Sequence, residues 1–410
     1  MNKTLITFII FTTFINALSL DDKLNLIISV HELKAKKITN TEYNTSIELG
    51  KIFFESKILS GTNNMSCLNC HLDKFGSADG LPLAVGVNGE GEGISRYKHG
   101  KGILVQRNAL SLIGRSDKKF KSFFWDGKVE DNGSFIFSQF GNSISKKFTS
   151  TLSVAAVMPI LERDELMGEE SFFTKNKIAD EVKDQLYQKK YNAISKVLKE
   201  RIYSSETNES IQIQENLKLL KIEKNDFELA LIGNFIADFI KYKFHMSTSR
   251  FDKYIEGNKN ILTKDEKQGA ILFFGKGKCS YCHQGNLFSD FTYHSIGTPQ
   301  GYFGVHSRHR DLGRAGVTNK VNDIYKFRTP PLIEVSKTSP YGHNGAFPTL
   351  YDIILHHMNP IQFYIKNSDY AKADYFTTGK LLNSRDKILS IIDIDKEEEI
   401  NKIIFFLETI

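Results

Sequence analysis

All four cysteines of the chain sit in two copies of one pentad, Cys67-Leu-Asn-Cys70-His71 in "MSCLNCHLD" and Cys279-Ser-Tyr-Cys282-His283 in "GKCSYCHQG". Two thiols three positions apart, with an imidazole directly behind the second, suit covalent haem attachment. The thiols add across the two vinyl groups of the porphyrin, and the tether brings the adjacent histidine beneath the iron. A zinc site needs a further Cys or His pair close by, and a redox dithiol has no use for a trailing histidine. Disulfides suit an exported chain, but the repeated pentad uses every thiol. The reading is therefore two c-type haems, with His71 and His283 as proximal ligands.

These two sites have to be carried by something, and 410 residues exceed one small core. Apolar residues at helical spacing from Thr41 to Ser56 lead through "KILSGTNNMS" into the first pentad. The second pentad is approached in the same way: Thr263 and Glu266 form a capping-box pattern, and "KQGAILFFGKG" runs on to Cys279. The spacing further predicts helices over 180–200 and 216–242, separated by the polar linker "SSETNESIQ", and an amphipathic helix in the tail "KEEEINKIIFFLETI". The glycine-rich stretch 76–102 reads as loop. Strand signals are sparse. The expected fold is mainly α, with two cytochrome c-like domains over 40–250 and 251–410 whose haems face a shared interface.

The opening residues run from a basic start through the apolar stretch Leu5 to Leu18 into Ser19-Leu20-Asp21-Asp22. This reads as a secretory signal over 1–19, cut near Ala17 or Ser19, and so as export to the periplasm. The apolar run is shorter than a membrane span requires, and no later segment approaches one. A net charge of +6, with Lys and Asp/Glu interleaved, does not support nucleic-acid binding.

Read in order, "LGKIFFESKILSGTNNMSCLNCH", "QRNALSLIG", "FWDG", "RFDKYIEGN", "FRTPP" and "YGHNG" resemble the bacterial di-haem cytochrome c peroxidase and MauG family over nearly everything after the signal. The resemblance implies that the haem on Cys67 and Cys70 reacts with hydrogen peroxide, that the haem on Cys279 and Cys282 handles electrons, and that a calcium ion lies between them. It makes Glu165, six residues beyond Pro159, the acid–base group. By composition alone Glu165 belongs to the charged run Glu162-Arg163-Asp164-Glu165 and reads as solvated loop. Where peroxidases of the family carry a Gln four residues before that proline, this chain has Ala155, so a distal hydrogen bond is missing. His99 is the loop candidate for a distal ligand, but in its glycine-rich setting it reads first as a solvated histidine beside an open site.

Trp125, the sole tryptophan, reads from composition as core and from the resemblance as a redox residue between the haems. Counting eight positions from Thr349 in "TLYDIILHHMNP" lands on His357 as the second axial ligand of the electron-transfer haem, with Met358 the competitor if the register slips. A histidine in place of methionine lowers the potential. Asn108, Thr338 and Pro340 match the family's calcium ligands, oxygen donors of the kind calcium takes; otherwise they are a loop cap and turn carbonyls. His343 is expected beside the second haem. The implied activity is reduction of hydrogen peroxide with electrons from a small periplasmic cytochrome c or cupredoxin. The alternatives are a MauG-like oxidase that modifies Trp or Tyr of a protein partner, and a plain two-haem electron carrier. A homodimer is left open.

Overall fold

A computed structural model describes residues 18–38, 41–169, 176–182, 185–300, 311–367 and 375–410. Residues 1–17, where most of the signal is expected, lie outside that set. Among the described residues the chain is largely helical, with one three-stranded and one two-stranded sheet. None of the described helices is long and apolar enough to cross a membrane.

Each pentad follows a helix built on the same plan. Helix Thr45–Glu55 starts where the Asn44 side chain accepts Ile47 N–H at 3.0 Å, and it buries Ile47, Leu49, Phe53 and Phe54. Its partner is Leu229–Lys243, and they meet at Gly50, where a Cβ would lie 1.9 Å from Phe235 O. In the second unit, Thr263 and Glu266 close the capping box, with Thr263 N–H donating to Glu266 Oε2 at 2.7 Å. Helix Lys264–Phe274 then packs on the tail helix Glu397–Leu407 through Gly269, where a Cβ would lie 1.8 Å from Lys402 O. In both units the obstacle is backbone, which cannot swing aside. Gly50→Ala and Gly269→Ala are each expected to cost about 1–3 kcal/mol by overpacking, seen as a lower thermal-unfolding midpoint. An unchanged midpoint would show that the helix pairs do not approach this closely.

Burial follows the duplication. One apolar cluster draws its residues from Ile47 to Phe244, and the other draws on Phe251 to Ile410. Leu24 and Leu33 join the second cluster, not the first. They belong to helix Leu20–Val30 and the segment after it, which are tied down by Tyr254 Oη donating to Asp21 at 2.6 Å and by Lys267 paired with Asp21 at 2.7 Å. The run expected as one helix over 216–242 is instead two: Asn208–Leu219 ends at the polar "KIEKND", with Lys221 at φ 58°, and Leu229–Lys243 begins afresh. The first of these starts inside the expected linker because Thr207 Oγ1 accepts Ser210 N–H and caps it.

The three-stranded antiparallel sheet pairs Ser122↔Glu130 and Phe123↔Val129, then Glu130↔Phe137. The turn between its first two strands carries Trp125, and the second half of the chain grips it. Arg328 N–H donates to Trp125 O at 2.8 Å, Arg328 Nε to Phe124 O at 2.9 Å, and Arg314 Nη1 to the carbonyls of Asp126 and Gly127. Gly127 (φ 68°) has no room for a side chain, since a Cβ there would meet Tyr293 Oη at 1.7 Å.

Candidate haem sites

The two pentads fold alike. Cys67 O accepts the N–H groups of Cys70 and His71, both at 3.1 Å, and Cys279 O accepts His283 N–H at 2.9 Å. The turn thereby puts both thiols and the imidazole on one side. No disulfide joins the four cysteines, and burial pushes the thiols of Cys67 and Cys279 up to about 12.

The histidines share a feature that bears on ligation. Nδ1 of His71 lies 2.8 Å from Ser77 O, Nδ1 of His283 2.9 Å from Phe288 O, and Nδ1 of His357 2.7 Å from Ile353 O. A carbonyl only accepts, so each Nδ1 carries the proton and Nε2 is left with its lone pair. Burial also holds all three rings below the usual histidine range, His71 and His357 at about 4, so they are neutral. Neutral imidazoles oriented from behind, beside unpaired thiols, fit a covalently held haem at each site.

The first site opens on a cavity of about 560 Å³ bordered by Cys67, Cys70, His71, Trp125, Pro159 and Glu165, a size suited to a bound organic group. Pro159 lies inside helix Thr151–Leu161, where it cannot donate to the carbonyl of Ala155. The helix ends two residues later, and Arg163–Met167 forms a single π-helical turn carrying Glu165. The glycine-rich loop braces that turn. Val87 N–H donates to Asp164 O at 3.2 Å, and a Cβ at Gly86 would stand 1.8 Å from that oxygen. Glu165 keeps partial access through the cavity, yet burial pushes its carboxyl up to about 7. Lys128 and Arg107 oppose the rise, and Glu162 and Asp164 add to it.

Trp125 is 8 % exposed, its Nε1–H donates to Asn108 O at 3.1 Å, and its ring borders both cavities. Ala155 is buried in the first cavity wall and offers no amide; Gln106 and Gln139 border the same space from other elements. His99 sits on the surface at the end of the short helix Ser95–Lys98 and does not border the cavity.

The second cavity is bordered by Cys279, Cys282, His283, His357 and Met358. Its wall includes His343, buried and stacked on Phe327 with ring centroids 3.6 Å apart. His356 faces elsewhere, with Nε2 donating to the carbonyls of Ile296 and Gly297 at 3.0 and 3.1 Å. Asn108, Thr338 and Pro340 also border this cavity, and Asn108 Nδ2 donates to Leu81 O at 2.7 Å and to Pro340 O at 3.5 Å. Cys282, Asp290 and His294 also place ligand-type atoms within 4.8 Å of one another. His294 is held between Asp290 at 2.9 Å and Asp386 at 2.5 Å, and the two carboxylates push it up to about 12. A ring protonated on both nitrogens has no lone pair for a cation.

Sequence reasoning missed two partly buried cations at the first site. Arg107 lies between Asp126 (2.6 Å) and Asp311 (2.7 Å), joining the two halves of the chain, and Lys128 pairs with Glu162 at 2.8 Å. The signal available for Lys128 was its place directly after "FWDG".

The family described as di-haem cytochrome c peroxidase matches residues 44–260. Cytochrome-c peroxidase IdrP2 of Denitromonas iodatirespirans is 26% identical over 330 residues, covering 75% of this chain and 72% of that protein. The methylamine utilization protein MauG of Methylorubrum extorquens is 25% identical over 334 residues, covering 80% and 72%. Among solved structures, the diheme peroxidase BthA of Burkholderia thailandensis superposes with a TM-score of 0.60 at 18% identity, covering 92% of this chain and 89% of that one.

Proposed function

Because this chain belongs to the di-haem cytochrome c peroxidase family, and so carries two haems, we propose that it is a periplasmic enzyme reducing hydrogen peroxide to water. Two electrons, delivered singly by a small cytochrome c or cupredoxin, and two protons convert each peroxide into two waters. The first haem, held by Cys67, Cys70 and His71, supplies the iron redox chemistry when bound. The protein's part is to move a proton. Glu165 takes it from the inner oxygen of peroxide and returns it to the outer, leaving one as water. What supports this reading most is a single observation: Glu165 borders the same cavity as Cys67, Cys70 and His71, where burial pushes its carboxyl up to about 7. Near neutrality such a carboxyl spends comparable time as base and as acid, which a group serving in both roles needs.

Pro159 shapes the cavity wall over which peroxide enters. Trp125, in the wall common to both cavities, provides an electron-rich step between them. Cys279, Cys282, His283 and His357 would hold the second haem, and Asn108, Thr338 and Pro340 would offer oxygens to calcium. The domains run over 40–250 and 251–410 behind a signal over 1–19. A MauG-like oxidase acting on a protein partner is the second reading, favoured by Ala155 and by His357 in place of methionine.

Adding one equivalent of peroxide to the oxidised holoprotein, then reduced cytochrome c, tests the choice. Steady turnover supports the peroxidase. A long-lived absorption change without turnover supports the oxidase, and no reaction overturns both. The sign of the pH dependence follows from the raised carboxyl. Proton abstraction needs the carboxylate, so the rate of reaction with peroxide should climb through pH about 7 and level above it. A rate constant flat from pH 5.5 to 8.5 would remove Glu165 from the step.

A further inference from the structure

The turn carrying Glu165 is built on one residue. Glu162 ends the helix, and its carbonyl accepts N–H groups from Glu165, Leu166 and Met167 at 3.2, 3.3 and 3.1 Å. The side chain of Glu162 is held in turn by Lys128 at 2.8 Å. Lys128 is itself fixed: its ammonium sits 4.5 Å above the centre of the Phe124 ring, and its backbone N–H donates to Asp126 Oδ1 at 3.1 Å. It also lies in the Trp125 turn itself, three residues after Trp125, so one side chain links the turn that carries Trp125 to the turn that carries Glu165.

We propose that Lys128 is a positioning residue for Glu165: it clamps the residue on which the acid–base turn is founded and sets a positive charge facing the carboxyl across the reactive cavity. This deepens the peroxidase reading and rests on it. The other groups facing Glu165 do less: Arg107 also favours the carboxylate, but more weakly than Lys128. Arg107 is engaged on both sides by Asp126 and Asp311. Asp164 and Glu162 carry like charge, and the thiols of Cys67 and Cys70 cease to titrate once thioether-linked. Lys128 is the strongest influence favouring the carboxylate of Glu165, and it does so where Ala155 leaves no amide to orient that group.

The experiment uses holoprotein carrying Lys128→Met, Lys128→Arg or Glu162→Gln. An infrared titration follows the Glu165 carboxyl band, assigned by its loss in Glu165→Gln, alongside the pH profile of the reaction with peroxide. Lys128→Met should raise the midpoint of both by about one pH unit, lowering the rate about tenfold at pH values below both midpoints. Lys128→Arg should restore them. Glu162→Gln removes a like charge and releases Lys128 toward Glu165, so it should move the midpoint down; this opposite sign carries the test if Lys128→Met does not accumulate. An infrared midpoint unmoved by Lys128→Met, a failure of arginine to restore it, or an upward shift in Glu162→Gln overturns the proposal. A Glu165→Gln protein that reacts with peroxide at the normal rate instead overturns the acid–base reading, while the infrared midpoint still reports on Lys128.

Discussion

Glu165→Gln should slow the reaction of the holoprotein with hydrogen peroxide by about 10²–10⁴-fold at pH 8, the range that a positioned general acid–base group supplies. The substitution isolates proton transfer from everything else. Glutamine has nearly the volume of glutamate and still offers hydrogen bonds, so the π-helical turn keeps its footing on Glu162 O. No buried charge is orphaned, because Lys128 retains Glu162 at 2.8 Å. Haem content and the spectrum of the second haem should therefore match the parent, and only the early absorption change after mixing with peroxide should be lost. Rapid-mixing spectroscopy reads this directly. A slowing of less than about threefold would mean that another group moves the proton; Tyr187 and Gln139, which border the same cavity, would then be the ones to replace.

The residues that were legible in the sequence are those whose chemistry is local. Thioether attachment needs its two thiols and its histidine within five positions, so Cys67 to His71 and Cys279 to His283 announced themselves. The capping box at Thr263 and Glu266 did the same for the helix before the second site. Glu165 was legible only by resemblance, because a charged run says nothing about burial, and it is burial that sets its carboxyl near neutrality. Lys128 and Arg107 were illegible for a related reason: their partners lie 34 and 204 positions away, at Glu162 and Asp311. Long-range packing decides whether a lysine beside a turn is solvated or clamped, and periodicity carries no trace of it. The same holds for helix Leu20–Val30, whose apolar face shows in sequence but whose choice of the second core does not. The break between Asn208–Leu219 and Leu229–Lys243 was missed because apolar spacing on either side of "KIEKND" is nearly continuous, and there the local backbone overrides the pattern.

His357→Met should raise the reduction potential of the second haem by on the order of 0.1–0.3 V, a moderate part of the ≈0.8 V that axial ligands command. Met358→Ala should leave it nearly unchanged. Both residues border the cavity, but they are not equivalent. Adjacent positions on a helix point about 100° apart, so one helix register presents one of them squarely and the other obliquely. The bond from His357 Nδ1 to Ile353 O, one turn back in the same helix, fixes the ring plane and leaves Nε2 as the donor atom. Among the described residues no comparable bond holds the thioether of Met358. Burial keeps the His357 ring neutral down to about pH 4, so protonation does not compete for the lone pair across the working range. Redox titration with electron paramagnetic resonance of the oxidised protein separates the cases. If Met358→Ala abolishes the low-spin signal and His357→Met leaves the potential in place, the register is one residue further along. The second haem would then be a high-potential acceptor, suited to relaying electrons from a donor and poorly suited to storing oxidising equivalents.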